Sequence, residues 1–172
     1  MTYLILFLFG ILGALLQSTL LRAWMPAYLI PDLLLLLVLY VSLSLPFGRG
    51  IIVSFTLGFL ADYLSGAPEG WHAPFFISIF AINKGIQSRI FLKGSRTPLG
   101  LFLFDFILKL PYLAILRIMF GFQLPPPGKL ATVWLGEVFI SLLLMPFIFF
   151  LLSKSLGVQR IRFMQVKRSH SI

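Results

Sequence analysis

The sequence has no cysteine, only two histidines and only five acidic residues. The first absence removes disulfides, thiolate catalysis and Cys-ligated metals together. The two histidines, His72 and His170, are too few and too far apart along the chain to suggest a histidine metal site. Charge of either sign is scarce, at 11% of 172 residues, against about a quarter in a soluble domain. With 59% of its residues hydrophobic, the chain cannot clothe its surface for water, which leaves an integral membrane protein. No Walker loop, histidine cluster or Ser nucleophile with a His base is present, so the common hydrolase and nucleotide-binding classes find no support.

The formal charge of +9 does not point to nucleic acid here. The basic residues flank apolar runs, where anionic headgroups and topology account for them. The opening "MTYLILFLFGILGALLQSTLLR" lacks a basic leader and a small-residue cleavage site, so it is expected to be a retained first span rather than a secretion signal.

Crossing the hydrocarbon takes about 20 mostly apolar residues. Six spans are expected, near residues 3–21, 32–46, 50–66, 72–92, 99–120 and 131–153, forming one all-α transmembrane bundle. "FGRG" would join the second and third in a tight hairpin, and Pro125, Pro126 and Pro127 would form a stiff polyproline link. With the N-terminus inside, Arg49, Arg89, Lys93, Arg96, Lys154, Arg160, Arg162, Lys167 and Arg168 fall on the cytoplasmic side. Only Arg22, Arg117 and Lys129 fall outside, so the positive-inside rule predicts both termini in the cytoplasm. Residues 154–172 form a basic tail. Its Lys154, Arg160, Arg162, Lys167 and Arg168 suit an anionic lipid surface, and a cytoplasmic partner is the alternative.

Charges inside apolar spans each cost roughly 2.5–3.5 kcal/mol at a helix centre, so they turn inward, pair and mark function. Asp32 follows Pro31 before "LLLLLVLY", a helix start that a carboxylate caps. Asp105 and Lys109 stand four apart on one face and are expected to pair. Pro111 and Pro146 are expected to bend the fifth and sixth helices and open an internal groove. Asp62 lies near the C-terminal end of its helix, where the dipole disfavours an acid. Its partner is then Lys84 on the next helix, water in a cavity, or another protein. Lys84 is expected to meet an acid, Asp62 or Asp105, and Glu137 lies in the outer part of the last span.

Three function classes follow. An intramembrane aspartyl protease would need Asp62 with Asp105 or Glu137, but "LADYLSG" and "LFDFILK" do not resemble the motifs of such enzymes. A substrate-binding subunit of an energy-coupling-factor transporter would hold a vitamin-like ligand among six short helices, with Gly10 and Ala14 facing a coupling subunit. The third is a non-catalytic scaffold. Here "PDLLLLLVLY" at 31–40 and "GFLADYLSGAPEGWHA" at 58–73 resemble the rod shape-determining MreD family. The matching positions are Pro31, Asp32, Gly58, Phe59, Asp62, Ser65, Gly66 and Gly70, with His72 and Ala73 continuing the pattern.

The resemblance implies a non-catalytic, cofactor-free protein of the bacterial inner membrane, with a fold similar to the six-helix transporter subunits. It also implies binding to MreC, a single-span protein. Through it the chain would connect MreB filaments with the transpeptidase and glycosyltransferase of peptidoglycan synthesis. Gly58, Phe59, Asp62, Ser65, Gly66 and Gly70 would then line the mouth of a groove that receives part of MreC.

Overall fold

The computed structural model describes residues 2–65, 70–89, 97–120 and 126–156, and every regular element in them is helical. Helix α1 runs from Thr2–Leu15 without a break through a π-helical turn, Leu16–Leu20, into a last turn, Leu21–Trp24. A 3-10 turn, Ala27–Leu29, leads to α2 (Leu33–Ser44), followed by α3 (Phe47–Ser65), α4 (His72–Arg89), α5 (Thr97–Phe120) and α6 (Pro127–Ser155). Ser65's side chain, Gly66 and the tail positions Arg160, Arg162, Lys167 and Arg168 lie outside what the structure describes.

Among the described residues, four segments are long and apolar enough to cross a membrane: Tyr3–Trp24, Phe47–Leu64, Thr97–Ile115 and Gly128–Ser155. The other two helices fall short for different reasons. The 12 residues of α2 cover roughly 18 Å of a hydrocarbon layer about 30 Å thick. The 18 residues of α4 are long enough, but Asn83, Lys84, Gln87 and Arg89 dilute its apolar character.

Leucine on every side gives α2 no polar face, and such a helix belongs inside. Every residue from Leu34 to Ser42 is buried, and all five other helices pack around it. Its far end is held by Gln87 Nε2, which donates to the Ser42 carbonyl at 3.3 Å. The predicted "FGRG" linker is instead the first turn of α3, whose Gly50 N–H donates to the Pro46 carbonyl at 2.9 Å. Proline tolerates that position because it accepts without needing to donate.

Helices α3 and α4 form the tightest antiparallel pair, because Gly58 has no side chain. A Cβ there would lie 2.4 Å from the Ala73 Cα. Of the predicted polyproline link, Pro125 lies outside the described residues and Pro127 is already helical. Pro126 flanks α6 and Pro127 is its first residue, where a missing N–H costs nothing. Both Pro111 and Pro146 lie inside continuous helices. Phe55, Phe59 and Tyr63 on α3, and Phe139, Leu143 and Phe147 on α6, are exposed, a surface suited to lipid.

Candidate functional site

The starts of α2 and α4 lie at the end of the bundle away from the N-terminus, and Asp32, Asp62, Lys109 and Glu137 gather around them. Pro31 ends the preceding strand of coil, and Asp32 takes the cap position. Its Oδ1 accepts from the Leu35 N–H at 3.0 Å, and its own N–H donates to Ser141 Oγ on α6 at 2.9 Å. The second oxygen, Oδ2, accepts from Lys109 of α5 at 2.8 Å, and Lys109 also donates to Glu137 of α6 at 2.5 Å. One ammonium thus binds two carboxylates and ties α2, α5 and α6 together.

This arrangement corrects the expected pairing of Asp105 with Lys109. One turn separates them, and that turn decides their partners. Lys109 is level with two acids from other helices. Asp105, fully buried, accepts at Oδ2 from Asn83 Nδ2 of α4 at 2.9 Å. The expected ion pair of Lys84 is also absent: among the described residues, no carboxylate lies within ion-pair distance of it. The neighbouring Asn83 takes the inward position instead.

Asp62 is 2% exposed. Its dipole position at the end of α3 is unfavourable, as expected, but it caps the next helix. Oδ1 accepts from the His72 N–H and from His72 Nδ1, both at 2.7 Å, and Oδ2 accepts from the Gly70 N–H at 3.1 Å. Gly70 makes this possible with φ +84, a conformation that costs glycine little. The carboxylate therefore takes the N–H of His72, the first residue of α4, and that of Gly70 just before it, where the positive end of a helix dipole favours it. Lys84 is not its partner. The same corner is fastened by Tyr112 of α5, whose hydroxyl donates to the Trp71 carbonyl and whose ring stacks on Phe75 at 4.6 Å.

The residues expected to line a partner groove therefore separate. Gly58 and Asp62 face α4 of the same chain, whereas Phe59 points outward at 54% exposed. The small residues of α1 also serve the chain itself: a Cβ at Gly10 would meet Leu57 of α3 at 2.4 Å, and Ala14 is buried. Ser141 and Asn83 were not anticipated. Ser141 is a single polar residue in an apolar run and Asn83 stands directly before Lys84, and no spacing rule tells which of these polar groups turns inward.

A family model described as rod shape-determining protein MreD matches residues 1–155, which is the whole helical bundle. No curated protein and no solved structure matches the chain.

Proposed function

The chain belongs to the MreD family of rod shape-determining proteins, and on that premise we propose that it is a non-catalytic membrane scaffold of the cell-elongation machinery. Its partner in this reading is an MreC-type single-span protein, through which it supports peptidoglycan synthesis in the bacterial inner membrane. The observation that carries the reading is the family match over residues 1–155. The use of the buried charges supports it: Lys109 binds Asp32 and Glu137, Asp62 binds the start of α4, and these contacts brace helices against each other. Such bracing suits a rigid platform.

Docking falls to the outward face of α3, where Phe55, Phe59 and Tyr63 succeed each other at helical spacing and are all exposed. A single apolar helix packs on such a stripe in lipid through shape and dispersion. Asp62, Gly58 and Gly70 then act from behind this face by fixing α3 on α4. Arg49 lies at the N-terminal end of the bundle and Lys154 in the last turn of α6, which supports a cytoplasmic placement of both termini.

The test is to purify the tagged protein from its own membranes in mild detergent and identify what travels with it. An MreC-type protein in near-equal amount is the expected result. A pair of ATPases with a coupling subunit would instead make the chain a transporter component.

A further inference from the structure

We propose that the polar cavity at the end of α1 is a binding site for a phosphate ester that also bears hydroxyl or amine groups. The cavity measures about 90 Å³ and is lined by Gln17, Ser18, Arg22, Asp32, His72 and Lys109 among apolar neighbours. It therefore has room for a headgroup but not for a whole lipid. This inference goes beyond the scaffold reading and does not depend on it.

The π-helical turn Leu16–Leu20 forms one wall. Such single turns interrupt the regular ladder and recur at functional sites. This one carries the polar residues Gln17, Ser18 and Thr19 after a mostly apolar first stretch, and Thr19 bonds back to the Leu15 carbonyl. Ser18 Oγ and Gln17 Oε1 are buried and have no hydrogen-bond partner among the described residues. Buried polar atoms are costly unless bonded, so the cavity must supply their partners.

The charges specify what kind of partner. Lys109 is already committed to Asp32 and Glu137, and both Asp32 oxygens are engaged. Arg22, at the mouth, has no carboxylate within ion-pair distance among the described residues. A guanidinium and a hydroxyl are thus left to donate, the combination that holds phosphate oxygens. His72 gives its Nδ1–H to Asp62, so in the neutral ring Nε2 is an acceptor, as is Gln17 Oε1. Those two atoms would take hydroxyl or amine protons from the substituent on the phosphate. The headgroup of an anionic phospholipid and a soluble phosphate ester both meet these demands.

The full chain, purified in a non-ionic detergent, can be titrated with dihexanoyl phosphatidylglycerol, with sn-glycerol 1-phosphate and with dihexanoyl phosphatidylcholine at constant ionic strength, following thermal melting. Saturable stabilisation by the glycerol-bearing phosphates, weakened about tenfold in Arg22→Gln and in Ser18→Ala but not in Lys129→Gln, is the expected result. Equal binding of both glycerol phosphates identifies a soluble ester as sufficient, and preference for the lipid identifies the headgroup. The proposal is overturned if neither phosphate binds saturably, if choline binds as well as glycerol, or if Lys129→Gln weakens binding as much as Arg22→Gln.

Discussion

The Asp62 carboxylate, on α3, accepts two hydrogen bonds from His72, one from the backbone N–H and one from the imidazole Nδ1, each at 2.7 Å. An acid at the wrong end of its own helix is thus at the right end of the next. The hairpin is locked by an interaction that neither helix makes alone.

Asp62→Leu removes this cap and leaves the Gly70 and His72 N–H groups unsatisfied in an apolar setting. A loss of about 2–3 kcal/mol is expected, against a smaller loss for Asp62→Asn, which keeps one acceptor. Thermal melting in detergent, followed by size-exclusion chromatography, orders the two variants.

Lys109→Met strips two buried carboxylates of their shared cation. A loss of about 3–5 kcal/mol is expected. Adding Asp32→Asn and Glu137→Gln to the same chain should restore most of it, because the uncompensated charges are then gone. A melting series across single and combined variants reads this coupling.

Asn83→Ala leaves Asp105 without its donor and should cost about 1–3 kcal/mol. The adjacent Lys84→Gln should change stability by less than about 0.5 kcal/mol, since no carboxylate is lost with it. Comparable losses in the two variants would contradict the placement of both residues.

Gly58→Val places branched carbon where Ala73 backbone stands 2.4 Å from the first added atom. The hairpin must open, at a cost of at least about 2 kcal/mol. Phe59→Ala, one residue on but outward, should leave melting nearly unchanged while weakening recovery of the single-span partner.

The fold was legible where a pattern had one physical solution. Long apolar runs gave α1, α3, α5 and α6, and Pro31–Asp32 before leucines marked the start of α2. Hydropathy alone could not tell that α2 is a short core helix, because a leucine run looks the same whether lipid or protein surrounds it. The charges were legible as inward-facing, but their partners were not. Lys109 chose between Asp105, four residues away, and Asp32, 77 residues away, on tertiary position. The cap of α4 by Asp62 was hidden for the same reason: sequence rules place caps beside the helix they serve, and this one comes from the helix before.

The most direct test of the account is site-specific photo-crosslinking in intact cells, with the reactive side chain at position 59 or 63 on α3, and at the still more exposed position 118 of α5 as a reference. The account predicts a covalent adduct with an MreC-type single-span protein from positions 59 and 63 and little from 118. An adduct only from 118, or none from α3 while the two proteins still co-purify, would contradict docking on the outward face of α3.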